Sequence, residues 1–325
     1  MSVQFSVAIP AYNSALYLAE TLRSVLDQRT PPAAVVVVDD GSTDGTREVL
    51  AQFADRIDIV SIENSGPGVA RKTAIEHCKT EWIALCDSDD VWQPDHLERK
   101  RCLIESDDTV SLCYSNFKSF GPGATGPEVN LDEAPAQWLV EHTRHQDGDY
   151  HYLRNAFQAT LYFNVGYTTG MAFTRALYDT CGGIRPAYSR WLAEDAEFTR
   201  RLALAAGPNA VYDRQPTWKY RRHPQNYSTP SEFRNILAGV RILEEHMRLG
   251  DIPASLHAEV KARIVQRHVK AFMSAYWQKH DVDAIEVARK IPLSSAWPTL
   301  WTRMLHSRLR HLVAPNTSAN PDATA

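Results

Sequence analysis

The first hundred residues alternate between short apolar runs and amphipathic segments. Val35–Val38 is a continuous run of valines, which is typical of a strand buried on both faces of a parallel sheet. The pattern predicts strands at Val3–Ile9, Val35–Val38, Ile57–Ile62 and Trp82–Leu85, and helices at Ser14–Gln28, Asp44–Phe53 and Val69–Cys78. Strands that alternate with helices over short connections form βαβ units. The sequence therefore predicts an α/β fold with a doubly wound, mainly parallel sheet.

Beyond Pro94 the periodicity weakens, and the segment from Leu131 to Phe163 shows no single period. The recognisable elements there are a helix at Asp95–Ile104, strands at Val110–Phe117, Val165–Thr174 and Ala210–Arg221, a loop at Gly121–Gly126 and a helix at Glu194–Ala205. After Ser231 the pattern is helical, with predicted helices at Phe233–Arg248, Ala254–His280, Asp283–Ile291 and Trp297–Leu312. Asn316–Ala325 is a polar tail that we expect to fray.

Composition narrows the class of protein. The chain has 325 residues, 44% of them hydrophobic and 23% charged, so it can bury a sizeable core. A net charge of −4 argues against a nucleic-acid-binding protein, which would carry a basic excess. The five cysteines form no CxxC pair, which indicates a reducing compartment without a disulfide framework. With neither a signal-peptide pattern nor an apolar run of about 18 residues, we expect a soluble intracellular protein.

Polar residues follow each of the first four predicted strands. These stretches are Pro10-Ala11-Tyr12-Asn13, Asp39-Asp40-Gly41-Ser42, Gly66-Pro67-Gly68 with Arg71 soon after, and Asp87-Ser88-Asp89-Asp90. Open α/β sheets bind their ligands outside the carboxyl ends of the strands. We therefore expect one binding site to form where these four stretches meet.

Three carboxylates within Asp87–Asp90 repel one another unless a cation neutralises them, and a hard divalent cation suits such oxygens. The alternative is a cluster that caps the following helix. Asp39 and Asp40 have a similar alternative as a turn and a cap. Arg71, near a helix start beside two glycines, fits a diphosphate contact, although a lone arginine is often only a solvated surface residue.

The four stretches together resemble family 2 of the nucleotide-sugar-dependent glycosyltransferases, which have the GT-A fold. The matching motifs are Val7–Asn13, Val37–Thr46, Gly66–Arg71 and Leu85–Trp92, in the family's order and spacing. The resemblance covers about residues 3–228 and is firmest over 3–95. It divides the chain into a nucleotide-sugar-binding half at 1–115, an acceptor-binding half at 116–228 and a C-terminal helical extension at 229–325.

The resemblance implies roles for individual positions on the donor side. The implied nucleotide-sugar contacts are Pro10, Ala11, Tyr12, Asn13, Asp40, Gly68, Arg71, Asp87, Ser88 and Asp89. Asp40 would contact the base or ribose, and Asp89 the ribose and the metal. The implied ligands of Mn²⁺ or Mg²⁺ are Asp87, Asp89, Asp90 and His223, although a lone histidine after a strand is often structural.

On the acceptor side, the segment that begins at Trp191 resembles the family's Glu-Asp motif, in which Asp195 would be the general base with Glu194 beside it. A hydroxyl is a poor nucleophile until a base takes its proton, which agrees with this role. Both acids could instead merely favour a helix N-terminus. The other implied contacts with acceptor or diphosphate are Thr169, Gly170, Trp191 and Arg221. A small residue at Gly170 would let substrate approach closely.

The resemblance implies an inverting displacement that transfers a sugar from a nucleoside-diphosphate sugar, most often UDP-linked, to a hydroxyl of a glycan or lipid-linked acceptor. It implies polysaccharide biosynthesis for the cell envelope, in the cytoplasm or at the inner face of the plasma membrane. One alternative is a nucleotidyltransferase, which would need a glycine-rich loop where Pro10–Asn13 stands. The other is a nucleotide-sugar binding module without turnover.

The C-terminal extension raises a separate question. Between Val287 and Pro321 there are five Lys or Arg residues and no Asp or Glu, and apolar residues recur at helical spacing over 297–312. Such a helix could lie on an anionic membrane surface. It could equally pack its apolar stripe on the catalytic core. Residues 254–291 read as paired helices that could support a homodimer.

Overall fold

The computed structural model describes residues 2–124, 128–224, 226, 231–292 and 298–313. The chain divides into two compact units, residues 1–227 and 228–325. The helical extension predicted at 229–325 begins one residue after this division. Gly126, Trp297 and the tail 316–325, for which the sequence made predictions, lie outside the described residues.

The first unit is built on a ten-stranded sheet. Its strands are β1 Phe5–Ala11, β2 Ala34–Asp40, β3 Asp58–Ile62, β4 Trp82–Leu85, β5 Val91–Trp92, β6 Leu112–Phe120, β7 Thr143–Asp147, β8 Tyr150–Leu153, β9 Ala172–Thr174 and β10 Ala210–Arg221. Their order is β3-β2-β1-β4-β9-β6-β10-β8-β7, with β5 paired to β10. The first four in this order are parallel, as is the β6–β10 pair, and the other pairs are antiparallel. The predicted doubly wound sheet is confirmed, and its antiparallel strands all lie beyond β4.

Apolar sequence runs account for the centre of this sheet. All seven residues of β1 are buried, and Val35–Val38 of β2 are at most 2% exposed, as a strand covered on both faces requires. The helices of this unit are α1 Leu18–Leu26, α2 Thr46–Ala51, α3 Pro67–His77, α4 His96–Ser106, α5 Trp138–His142, α6 Ala156–Tyr162, α7 Arg175–Thr180 and α8 Glu194–Ala206. Because β1 to β4 run parallel, their carboxyl ends all lie at one edge of the sheet.

The prediction of one strand over Val165–Thr174 is wrong for its first half. Residues Thr168–Gly170 form a 3₁₀ turn, and β9 begins only at Ala172. The reason is that the turn's carbonyls bond to side chains rather than to a neighbouring strand: Trp92 Nε1 donates to Thr169 O at 3.0 Å, and Lys100 Nζ donates to Gly170 O at 3.0 Å. The segment without a clear period holds a short 3₁₀ turn, α5, the hairpin of β7 and β8, and α6.

The second unit is helical in its described part. Its helices are α9 Glu232–Leu249, α10 His257–Trp277, α11 Asp281–Ala288 and α12 Pro298–Val313. Their apolar faces form one core around Phe233, Phe272 and Leu300, each at most 2% exposed. α9 ends before Gly250, whose φ of 75° suits glycine at a helix C-terminus. Among the described helices of both units, none combines the length and apolar character needed to cross a membrane.

We predict that Gly170→Ala destabilises the fold, by about 1–3 kcal/mol, because overpacking a filled core forces neighbours to shift. A Cβ at this position would lie 2.6 Å from Trp218 Nε1 and 2.9 Å from the Ser115 carbonyl oxygen. Gly166→Ala is the matched control, since its Cβ would meet its nearest atom at 3.5 Å. Urea unfolding measures both, and equal midpoints would contradict the prediction.

Candidate active site

The loops that follow β1, β2 and β4 are joined by short-range polar contacts. The Asn13 amide donates to Ser42 Oγ at 3.0 Å, and the Thr43 amide donates to Asn13 Oδ1 at 2.9 Å. Ser14 Oγ lies 2.7 Å from Ser88 Oγ. As expected, these stretches therefore meet in the structure.

Asp40 connects β2 to the loop before α3. Its Oδ1 accepts from the Ser65 amide at 2.6 Å, and its Oδ2 accepts from the Gly66 amide at 2.9 Å. The side chain is buried, at 2% exposure. Asp40 thus organises this loop, and its contact with a base or ribose stays a prediction. Tyr12 is half exposed beside the same loops, which leaves its ring accessible to a ligand.

The two glycines at the start of α3 are required because a second segment of the chain packs against them. A Cβ on Gly66 or Gly68 would lie within 2.9 Å of Ser189 atoms. Ser189 Oγ accepts from the Val69 amide at 2.8 Å and donates to the Ser65 carbonyl at 3.0 Å. The small residue at Gly68 therefore admits the segment that leads to Trp191, so this segment lies against the loop at the start of α3.

The three carboxylates of Asp87–Asp90 have different surroundings. Asp90 points inward: it is 1% exposed, its Oδ2 accepts from Thr169 Oγ1 at 2.5 Å, and its Oδ1 accepts from the Arg221 amide at 2.9 Å. Burial and the neighbouring acids raise the pKa of Asp90 well above its usual value. This geometry argues against the expectation that Asp90 binds a metal directly.

Asp89 faces the residues that follow β10. His223 Nε2 lies 3.0 Å from its Oδ2, and Asn226 Nδ2 donates to the same oxygen at 3.1 Å. Burial and nearby Asp87 raise the pKa of Asp89, and His223 opposes that rise. Asp89 and His223 therefore place an oxygen and an imidazole nitrogen side by side.

The Asp89 oxygen and the His223 nitrogen fit a divalent cation that is also coordinated by a bound ligand. Within the part of the chain that the structure describes, no three His, Cys, Asp or Glu side chains form a complete metal site. Mg²⁺-type sites commonly use one or two protein ligands and complete their coordination with substrate phosphates. Asp89 supplies a carboxylate oxygen for such a site, the His223 nitrogen lies beside that oxygen, and Asp87 is in the same loop.

Asp87 is connected to Glu194, at the start of α8, through one buried arginine. Arg71 Nη2 donates to Asp87 Oδ1 at 3.0 Å, and its Nη1 donates to Glu194 Oε1 at 2.8 Å. The side chains of Arg71 and Glu194 are only 6% and 8% exposed, so their ion pair is poorly solvated, whereas the Asp87 side chain is 32% exposed. The expected diphosphate contact of Arg71 stays a prediction, but its guanidinium already bridges two carboxylates.

Glu194 and Asp195 begin α8, directly after a strained residue. Ala193 has a φ of 63°, a left-handed conformation that alanine rarely adopts and that often occurs at functional sites. Burial raises the pKa of Glu194 to about 7, against the influence of Arg71. Burial and nearby Asp87 likewise raise the pKa of Asp195, again opposed by Arg71. A general base works best when its pKa lies near the operating pH, and these shifts raise the pKa of both carboxyl groups in that direction.

Two other residues that were expected to contact diphosphate or acceptor make their polar contacts within the protein. The Arg221 guanidinium lies between the Tyr17 and Phe120 rings, at 4.6 and 4.4 Å from their centroids, and donates to Glu20 Oε2 at 2.6 Å. Thr169 is 1% exposed, with its hydroxyl on Asp90. Both arrangements argue for positioning roles rather than direct contact with diphosphate or acceptor.

The sequence motifs missed several residues that hold the site together. These are Glu20, Thr168, Ser189 and Asn226. None of them stands in a strand-end motif, and each acts on a residue distant in the chain. Only Asn226, three residues after His223, carried a local signal that closer reading could have found.

Comparison with known proteins places this architecture in a class. Among solved structures, the chain is similar to S. aureus TarS residues 1–349 in complex with UDP, with a TM-score of 0.55 and 17% identity over 95% of this chain and 91% of that one. It is also similar to the mannosyltransferase PcManGT from Pyrobaculum calidifontis in complex with GDP-Man and Mn²⁺, with a TM-score of 0.59 and 19% identity over 96% and 88%. The fold is therefore GT-A.

The sequence comparison gives the family. The profile described as Glycosyl transferase family 2 matches residues 6–174, and the chain belongs to this family. It is 46% identical over 99 residues to the "Putative teichuronic acid biosynthesis glycosyltransferase TuaG" of Bacillus subtilis, which covers 29% of this chain and 39% of TuaG. It is 42% identical over 142 residues to the "Succinoglycan biosynthesis protein ExoO" of Rhizobium meliloti, which covers 40% of each. The chain thus spans about two fifths of these relatives.

We predict that Glu194→Gln flattens the pH dependence of stability between about pH 4.5 and 7. The pKa of Glu194 rises from 4.5 to about 7 on folding, so the folded state holds this proton more tightly than the unfolded state. Its contribution to stability is present below pH 4.5 and is lost as the pH rises through 7.

Urea unfolding of wild type and Glu194→Gln in metal-free buffer, at several pH values across this window, measures the difference. Glu63→Gln, at an exposed position, is the matched control. The variant should gain stability relative to wild type as the pH rises. Parallel curves for wild type and Glu194→Gln would contradict the assignment.

Proposed function

We propose that this protein is an inverting glycosyltransferase that moves a sugar from a nucleoside-diphosphate sugar to a hydroxyl group of a glycan or lipid-linked acceptor. One observation carries the proposal. Arg71 hydrogen-bonds simultaneously to Asp87, in the donor-side carboxylate loop, and to Glu194, which is beside Asp195. The carboxylates needed for donor binding and for proton removal thus belong to a single cluster, in a chain of glycosyl transferase family 2.

In the proposed reaction, Asp195 accepts the proton of the acceptor hydroxyl. The hydroxyl oxygen then forms a bond to the anomeric carbon, and the bond from that carbon to the diphosphate oxygen breaks with inversion. Asp89 and His223 would hold a divalent cation, Mn²⁺ or Mg²⁺, which when bound neutralises charge on the leaving diphosphate. Glu194 fixes the Arg71 guanidinium on the acceptor side of the cluster.

The donor and the setting are proposed from the comparisons. UDP is our first choice of nucleotide because similar structures hold UDP and UDP-GlcNAc, while PcManGT holds GDP-Man with Mn²⁺. TuaG and ExoO are named for teichuronic acid and succinoglycan biosynthesis. We therefore propose a role in cell-envelope polysaccharide assembly, on the cytoplasmic side of the membrane.

The test is a thermal-shift panel of UDP, GDP, dTDP and CMP, each with and without Mn²⁺ or Mg²⁺, on wild type and Asp195→Asn. A ligand that binds only the native state raises its stability. We expect one nucleoside diphosphate to stabilise both proteins in the presence of metal. Donor turnover by Asp195→Asn should fall at least about 100-fold, since a general base contributes on that scale.

Each part of the proposal has its own contrary result. Full turnover by Asp195→Asn would contradict the role of Asp195 as the base. Undiminished turnover in excess EDTA would contradict the need for a metal. Binding without turnover of any nucleotide sugar favours the non-catalytic module. Consumption of a nucleoside triphosphate with a sugar phosphate would identify a nucleotidyltransferase instead.

We also propose that α12 contacts an anionic membrane surface. Trp301 and Leu305 are 41% and 59% exposed, and Arg308 is exposed. Together with Arg289 they line a groove of about 600 Å³ between the end of α11 and α12, and no acidic residue is among its described lining residues. Exposed aromatic and aliphatic side chains beside arginines are the composition of helices that lie on anionic lipid.

We predict that the protein sediments with vesicles containing phosphatidylglycerol, on the order of tenfold more tightly than with pure phosphatidylcholine, because each arginine near such a surface adds attraction. A Trp301→Ser, Leu305→Ser double variant should lose this binding. Val282→Ser, at a position 61% exposed in α11, is the matched control and should keep it.

Equal sedimentation with both vesicle types, or none with either, would overturn the membrane proposal. Light scattering of the same variants tests whether a second copy of the chain binds this face of α12 instead of a membrane. A wild-type dimer that the double variant abolishes would show that the face binds a second copy of the chain.

A further inference from the structure

The carboxylate loop is held by a turn that no motif singled out as a unit. Thr168 Oγ1 donates to Asp87 Oδ2 at 2.6 Å, and Thr169 Oγ1 donates to Asp90 Oδ2 at 2.5 Å. Thr169 Oγ1 also accepts from the Asp87 amide at 3.1 Å. Two adjacent hydroxyls therefore fix the first and the last carboxylate of the loop.

The turn owes its own position to other parts of the core. Trp92 and Lys100 donate to the carbonyls of Thr169 and Gly170, and Trp218 fills the space where a Gly170 side chain would stand. None of these contacts involves an acidic residue, so the turn is supported by groups other than the carboxylates it touches.

The consequence concerns the middle carboxylate. Three acids within four residues repel one another, and without fixed partners they would spread over many arrangements. With Asp87 and Asp90 fixed by hydroxyl groups, Asp89 is left to face His223. Its Oδ2 then lies at the place where the proposed cation and diphosphate would bind.

We propose that Thr168 and Thr169 are positioning residues that align the Asp87–Asp90 loop for binding of a nucleoside diphosphate with a divalent cation. The proposal rests on the proposed function, which supplies the ligand. It departs from the expectation that Thr169 touches acceptor or diphosphate. The Thr169 side chain is buried, and its hydroxyl both donates and accepts a hydrogen bond within the protein.

The decisive variant is Thr169→Val, which keeps the shape of threonine and replaces the hydroxyl with a methyl group. Thr169→Ser retains the hydroxyl and is the rescue variant. Thr168→Val and Thr168→Ser form an independent pair that acts through Asp87. Thr180→Val is the matched control, since Thr180 is exposed on α7 and its hydroxyl donates only to the Ala176 carbonyl of the same helix.

The measurement is Mn²⁺ binding by electron paramagnetic resonance, in the presence of saturating UDP, or of whichever nucleotide the thermal-shift panel selects. Residues that orient metal ligands typically change affinity by about 10–100-fold when lost. We expect Thr169→Val and Thr168→Val to weaken Mn²⁺ binding about tenfold or more. The two serine variants and Thr180→Val should stay near the wild-type value.

Each outcome decides the matter. Unchanged Mn²⁺ affinity in both folded valine variants overturns the proposal. Equal losses in the valine and serine variants overturn it too, because the hydroxyl would then not be the active group. If Thr169→Val does not fold, the Thr168 pair and Thr169→Ser decide. If wild type itself binds no Mn²⁺ with any nucleotide, the metal in the proposed function fails first, and this proposal fails with it.

Discussion

The structure of the active site depends on one constraint: several carboxylates must be kept close together in a partly buried place. Their partners are of three kinds. Arg71 supplies positive charge to Asp87 and Glu194, backbone amides and hydroxyls bind Asp40 and Asp90, and His223 lies against Asp89. Leaving a buried member of this cluster charged and without a partner would carry the desolvation cost of a buried charged group.

This constraint explains why the sheet changes character beyond β4. The parallel strands bring the donor-side acids to one edge, but their partners come from later segments of the chain. The turn Thr168–Gly170 before β9 and the residues after β10 reach the Asp87–Asp90 loop because β9 lies beside β4 and β10 lies nearby in the same sheet. The segments next to β9 and β10 thus carry the supports that the first four strands lack.

Sequence reasoning succeeded where the signal was local. The Val35–Val38 run and the strand-end motifs predicted the sheet and the meeting of the first four loops, because burial on both faces and turn chemistry are written in consecutive residues. It failed for the Thr168–Gly170 turn, which exists because Trp92, Lys100 and Trp218 are close in space. Likewise, Arg221 looked like a charge for the leaving group until its packing between Tyr17 and Phe120 was visible.

The arginine shared by both sides has a further meaning. Arg71 opposes the rise in pKa of both Glu194 and Asp195, while Asp87 acts in the other direction on both. A cation or diphosphate that changed the charge around Asp87 would therefore alter the field felt by the proposed base. Arg71 would not need to move for this to happen, because Arg71 and Glu194 are buried and water screens their charges only weakly. The proposed donor binding and the proposed proton removal would thus be electrostatically linked through the charges around Arg71, and the proposed base is best described together with the Asp87–Asp90 loop.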